Sequence, residues 1–124
     1  MDSNSRTNSS VFNYESSPLF TRESASTKVL YNTFSTAQNN TAVWTPASGK
    51  RIYLTAVETS ALAALVVTLN RAGNAPFLTV NLTTSLATFG ESFPSPIKFN
   101  LGEAITLTTS TSGTMYITLI GYEV

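Results

Sequence analysis

The side chains that most often perform acid–base, nucleophilic or metal chemistry are scarce in this sequence. It contains no histidine and no cysteine, which excludes a histidine-based triad, a thiol nucleophile, imidazole or thiolate metal ligands and a disulfide framework. No glycine-rich phosphate motif occurs, and the spacing of the carboxylates indicates no paired acid and base. The seven carboxylates are Asp2, Glu15, Glu23, Glu58, Glu91, Glu103 and Glu123. We therefore expect a protein that is not an enzyme and uses no cofactor or metal.

The overall charge argues against a nucleic-acid partner. Seven basic and seven acidic residues cancel, and no basic stripe is present to neutralise phosphates. Charged residues make up only 11% of the chain, whereas serine and threonine supply 36 of its 124 residues. A surface rich in threonine and poor in charge suits extensive contact with other protein. It is equally typical of a β-protein whose surface carries hydroxyl groups.

The chain shows no sign of a membrane partner. No apolar run approaches the roughly 18 residues that span a bilayer. The N-terminal sequence is polar and lacks the apolar core of a secretory signal. We expect a protein that is made in the cytoplasm.

Residues 1–27 differ in composition from the rest. Serine, asparagine, threonine and arginine dominate, so this segment alone buries too little apolar area to offset the entropy of ordering. Two small apolar islands nevertheless interrupt it, and we predict that this extended arm orders against a partner subunit. A mobile tail with incidental aromatic residues is the alternative. The predicted partner-binding residues of the arm are Val11, Phe12, Tyr14, Leu19 and Phe20.

Residues 28–124 alternate between apolar and polar side chains with period two, in short segments separated by turns every 8–12 residues. This pattern predicts an all-β domain: an antiparallel two-sheet β-sandwich, jelly-roll-like, with about eight strands. Prolines at 94 and 96 predict a rigid crossover at residues 93–96 rather than a central strand. The alanine- and leucine-rich residues 60–64 are compatible with a helical turn.

Two sets of residues are candidates for binding. The last strand is apolar on both faces, and only one face of a two-layer sandwich meets the core. We therefore predict that Tyr116, Ile120 and Tyr122 form a subunit interface. The alternatives are that the chain's own arm covers them or that they are scattered surface aromatic residues. Trp44 and Tyr53 are a possible aromatic platform for a sugar ligand, although a single tryptophan beside a turn is more often a core anchor.

Three segments, in this order, carry a resemblance to a known family. They are WTPASGKRIYL at residues 44–54, LGEAITLT at residues 101–108 and GTMYITLIGYE at residues 113–123. Together they resemble the small jelly-roll virion proteins of tailed bacteriophages, of the capsid decoration or auxiliary head protein type. The resemblance covers about residues 43–124.

The resemblance implies a structural role in a virion. Such a protein is commonly a homotrimer that binds the major capsid protein or another virion protein, stabilises the assembled head and has no catalytic residues. The implied location is the virion, after synthesis in the host cytoplasm. The alternative function is a receptor- or carbohydrate-binding module of a phage tail, fibre or other surface appendage.

Overall fold

The structure, a computed structural model, describes residues 26–124 and is built from eight β-strands. Alternating apolar side chains and β-branched residues favour each strand, and glycine, proline or asparagine lies in most of the connections. A short 3₁₀ turn, Ala72–Asn74, joins the fourth strand to the fifth. The strands are β1 Lys28–Phe34, β2 Thr41–Trp44, β3 Ile52–Ala61, β4 Leu65–Arg71, β5 Ala75–Leu82, β6 Ala87–Lys98, β7 Ile105–Thr109 and β8 Met115–Glu123.

The strands form two four-stranded antiparallel sheets. The first sheet has the order β1-β8-β3-β6 and the second has the order β2-β7-β4-β5. β1 pairs with β8, β2 with β7, β3 with β6 and β4 with β5. The chain is therefore a long hairpin rolled up so that β3 also meets β8 and β4 also meets β7. This arrangement is an eight-stranded jelly roll, and it confirms the predicted fold class.

The core lies between the two sheets and is made of alternating side chains from both. On β8, Met115, Ile117 and Leu119 are at most 1% exposed, as the alternation of that strand predicted. The other fully buried large side chains come from β2, β3, β4, β7 and the β6–β7 connection. They are Trp44, Ile52, Leu54, Val57, Val67, Leu69, Phe99, Ile105 and Leu107.

A bulge in β3 changes the predicted alternation of that strand. Pairing with both β6 and β8 is irregular between Leu54 and Ala56, and the extra residue, Thr55, donates its hydroxyl hydrogen to the Ile120 carbonyl oxygen at 2.9 Å. A bulge of one residue exchanges the two faces of a strand beyond it. Val57 therefore lies in the core with Ile52 and Leu54, whereas strict alternation placed Ala56 there.

Two local predictions are wrong. Residues 93–96 are not a crossover, because they belong to β6, a twelve-residue strand at the edge of the first sheet. β6 tolerates both prolines because it pairs on one side only, and because its ladder skips from Ser92 to Ile97, which leaves the proline segment bulged. Residues 60–64 form no helical turn, since β3 continues to Ala61 and a bend follows.

Candidate functional site

The outer face of the first sheet carries four tyrosine side chains, all at least partly exposed. Three rows of side chains cross it from β1 through β8 to β3: Thr33, Tyr116 and Ser60; Tyr31, Thr118 and Glu58; Val29, Ile120 and Ala56. A fourth row pairs Tyr122 of β8 with Tyr53 of β3. We call this surface the tyrosine face; its large side chains are Val29, Tyr31, Tyr53, Tyr116, Ile120 and Tyr122.

Two stacked pairs of rings organise the tyrosine face. The rings of Tyr53 and Tyr122, which lie directly opposite one another, are 5.1 Å apart between centroids and nearly parallel, at 9°. The rings of Tyr31 and Tyr116 are diagonal neighbours 6.4 Å apart at 13°. Cross-strand aromatic pairs of this kind fix ring orientation and stabilise a sheet. The four rings of the face therefore form two stacked pairs rather than four separate side chains.

The predicted interface residues lie together on this face. Tyr116, Ile120 and Tyr122 all point away from the core, and each is partly buried by its neighbours. Val29 and Tyr31 of β1 are more open, at 64% and 61% exposed. The three large outward side chains of β8 are thus only partly covered by residues 26–124. Its role as a subunit interface stays a prediction.

A depression opens in the middle of the tyrosine face. Thr118, a short side chain, lies at the centre of the second row between Tyr31 on one side and Glu58 on the other. Ser60 and Tyr116 close one end, and the hollow measures about 390 Å³. Glu58 is exposed and faces Gly90 on its other side. A carboxylate therefore stands beside two tyrosine rings with only small residues around it.

The predicted sugar platform is wrong at Trp44. Its side chain is 2% exposed, and its indole Nε1–H donates to Oε2 of Glu123 at 2.8 Å. Oε1 of Glu123 accepts from the Ala47 backbone N–H at 3.0 Å, and Lys28 Nζ lies 3.4 Å from Oε2. Trp44 is therefore a core anchor that joins β2 to the end of β8, while Tyr53 stacks on the tyrosine face without it.

These contacts shift the acidity of Glu123. The hydrogen bond from Trp44 lowers the pKa of the Glu123 carboxyl below its usual range, and the Ala47 amide and the Lys28 ammonium group act in the same direction. Burial of the carboxyl opposes them. The charge of Glu123 is thus neutralised within the fold and supports structure rather than chemistry.

A second buried carboxylate closes the end of the second sheet. Arg71 Nε and Nη2 donate to the two oxygens of Glu103 at 3.1 and 3.0 Å, in a bidentate pair. The Ala72 and Asn100 backbone N–H groups also donate to Glu103, at 2.7 and 2.6 Å. The Arg71 hydrogen bond is the main cause that lowers the Glu103 pKa from 4.5 to about 2. The Arg71 guanidinium also lies 4.8 Å from the centre of the Phe99 ring.

The outer face of the second sheet is polar but uncharged. Asn70 Nδ2 donates to Oδ1 of Asn40 at 3.1 Å, and the Asn40 backbone N–H donates to the Thr108 hydroxyl at 3.0 Å. Thr68 lies between Thr79 and Thr108 on the neighbouring strands. The two outer faces of the sandwich are therefore chemically different, and only the tyrosine face is aromatic.

The four carboxylates within residues 26–124 differ in their surroundings. Glu103 and Glu123 are each held by a different ion pair, and Glu58 and Glu91 are exposed on separate strands. In the part of the chain that the structure describes, no three acidic, histidine or cysteine side chains cluster as metal ligands would. No helix within residues 26–124 is long and apolar enough to cross a membrane.

The predicted partner-binding residues of the arm lie outside the described residues. These are Val11, Phe12, Tyr14, Leu19 and Phe20, and their role stays a prediction. Sequence reasoning did not single out Tyr31 or Glu58 as site residues. The alternation of β1 gives the orientation of Tyr31, but strict alternation of β3 places Glu58 on the core side with Leu54. The bulge at Thr55 turns Glu58 outward, and its meeting with Tyr31 depends on the order of strands in the sheet.

Comparison with known proteins supports the fold. No protein-family model and no curated protein matches the sequence. A chain from the acidic stable capsid structure of Helicobacter pylori bacteriophage KHP30 superposes with a TM-score of 0.55 at 8% identity. The match covers 79% of this chain and 92% of that one. This protein therefore shares its jelly-roll fold with that chain.

A chain from the virus-like particle of the extra small virus of the giant freshwater prawn Macrobrachium rosenbergii also aligns, with a TM-score of 0.43 at 16% identity. That alignment covers 98% of this chain and 95% of the other.

Proposed function

We propose that this protein is a structural component of a virus particle and acts through protein–protein contacts. The observation that carries the proposal is the jelly-roll strand order combined with a partly exposed tyrosine face on the central strand β8. A two-layer sandwich needs only its inner faces for its own core. An outer face that is aromatic at the centre of the sheet favours a function in which another protein covers it. The similarity to a phage capsid chain agrees with this role.

The charges of the domain favour contact with protein rather than with a genome. Residues 26–124 contain five basic and four acidic side chains, and two of the basic ones, Lys28 and Arg71, are paired with buried glutamates. Binding to nucleic acid needs a concentration of unpaired lysine and arginine. The proposed contacts are therefore with copies of this chain and with the major capsid protein or another virion protein.

Within that role we propose a capsid decoration or auxiliary protein that functions as a homotrimer. A protein that binds the assembled shell more tightly than its free subunits stabilises the shell by mass action. Many copies on one particle add their effects through multivalency. A carbohydrate-binding module has less support, because Trp44, the aromatic residue on which that function depended, is inside the core.

Gold labelling of particles tests the proposal. Gold-conjugated antibodies raised against the folded protein are applied to intact and to disrupted particles of the virus that encodes it, and electron microscopy locates the gold. We expect label on the outside of intact heads. Label on tails alone or only inside disrupted particles would contradict the decoration role, and absence of label from every particle would contradict the virion role. Serum adsorbed with the purified protein is the control.

A further inference from the structure

The depression in the tyrosine face has the chemistry of a site for an arginine side chain. Tyr31 and Tyr116 provide ring surfaces, and Glu58 provides a carboxylate at the opposite wall. A guanidinium group stacks on an aromatic ring and pairs with a carboxylate at the same time. Among residues 26–124 no ion pair involves Glu58, and its neighbours Ala56, Ser60, Thr118 and Gly90 are too small to cover it.

We propose that residues 18–22 of a second copy's N-terminal arm occupy this site, with Arg22 in the depression. This inference deepens the proposed function and rests on it, since it names the segment by which one copy contacts the next. The sequence of the segment is Pro-Leu-Phe-Thr-Arg. It combines apolar residues with a cation, as the tyrosine face combines apolar rows with a carboxylate.

The spacing of the segment matches the spacing of the face. In an extended chain Phe20 and Arg22 project to the same side, about 7 Å apart. On the face, the row Val29–Ile120–Ala56 is two residues from the row of Tyr31 and Glu58, which is also about 7 Å. With Arg22 in the depression and the segment running along the strands toward Val29, Phe20 comes over Ile120, where Ala56 leaves room for a ring.

The position of the arm favours a second copy over the same chain. Ser26 and Thr27 are exposed and form no turn before β1 begins at Lys28. Glu58 is level with Tyr31, which follows Lys28 by three residues, and it lies on β3, two strands away from β1. The distance from Lys28 to Glu58 across the sheet is therefore about 14 Å. For a chain's own Arg22 to reach it, residues 23–25 would have to reverse direction completely. Six extended residues span about 20 Å, which is long enough for a contact with a separate copy without such a reversal.

Charge reversal in the full-length chain tests the contact. Self-association is measured by sedimentation velocity over a range of concentrations. We expect Glu58→Arg and Arg22→Glu each to raise the dissociation constant of the assembly about tenfold or more, as loss of a charged hydrogen-bonded contact does. An equimolar mixture of the two variants is expected to restore assembly in part, because two of the three arm contacts in a mixed trimer then pair opposite charges.

Matched controls carry the same charge change elsewhere. Glu91→Arg reverses an exposed carboxylate on β6, and Arg6→Glu reverses an arginine in the arm that has no apolar residue two positions before it. Both are expected to assemble like the original protein. All variants are checked for an unchanged denaturation midpoint, since both glutamates are on the surface.

The outcomes separate this proposal from the proposed function. If the unmodified chain assembles and Glu58→Arg assembles equally well, the docking site is refuted while the virion role stands. If only the double variant Glu58→Arg/Arg22→Glu recovers and the mixture does not, the contact lies within one chain and the intersubunit proposal is overturned. A chain that is monomeric at every concentration contradicts both.

Discussion

Replacing Gly121 with alanine is expected to destabilise the domain by about 3 kcal/mol, the upper end of what overpacking usually costs. Gly121 lies on β8 opposite Leu54, beside the β3 bulge. A methyl group there would overlap the Tyr53 carbonyl oxygen and come within 3.1 Å of Leu54 Cα. Both are backbone atoms held by the pairing of the two central strands, so neither can move aside without breaking the ladder.

Chemical denaturation of the full-length chain measures this effect, and Gly90→Ala is the matched control. Gly90 is also a strand glycine of the first sheet, but the nearest atom to an added methyl group is Glu58 Cγ at 4.0 Å. Alanine there is expected to leave stability unchanged or to raise it slightly, because alanine loses less chain entropy on folding than glycine does. Equal denaturation midpoints for the two variants would contradict the close approach of β8 and β3.

Protonation of Glu103 in acid is expected to lower the free energy of unfolding of the domain substantially. The pKa of this carboxyl is about 2 in the folded protein and 4.5 ordinarily. The folded state therefore binds its proton less readily than the unfolded chain does. Its contribution is fully present above pH 4.5 and is lost as the pH falls toward 2. A difference of this size corresponds to roughly 3 kcal/mol, and Glu123, whose pKa is also lowered, acts in the same direction.

The assignment to Glu103 is checked by denaturation of the full-length chain at several pH values with Glu103→Gln. At neutral pH the variant is expected to lose about 3 kcal/mol, because Arg71 loses its ionic partner and an amide cannot accept from Arg71, Ala72 and Asn100 together. Between pH 4.5 and 2 its stability should fall less than that of the original protein. Glu91→Gln, at an exposed carboxylate, should keep the original pH dependence. If Glu103→Gln keeps it as well, the acid sensitivity lies elsewhere.

The fold class can be predicted from the local alternation of apolar and polar residues, whereas the depression in the tyrosine face cannot. Alternation and turn residues were sufficient to predict a sandwich of about eight strands, because both act over a few residues. The inward set of β8, Met115, Ile117 and Leu119, followed in the same way. The bulge at Thr55 was not predictable, since it depends on a pairing with Ile120 that lies 65 residues away.

Residues that act at long range explain the remaining errors. Local sequence predicts a break at the prolines of β6, because their tolerance depends on the edge position of the strand, which only the strand order gives. Trp44 was open to two interpretations until its partner Glu123, 79 residues away, was known. Alternation alone places Tyr31 outward but Glu58 inward; the bulge at Thr55 turns Glu58 outward, and β8, which lies between the two, brings them to one depression.

The central claim is that this protein works as part of an assembly of protein subunits. Sedimentation velocity of the purified full-length chain tests it most directly. We predict a stable species that is a multiple of the 13.3 kDa chain, with the trimer as the expected unit, and its conversion toward monomer when Tyr31 is replaced by glutamate on the tyrosine face. A single 13.3 kDa species at all concentrations, unaffected by that substitution, would contradict the account.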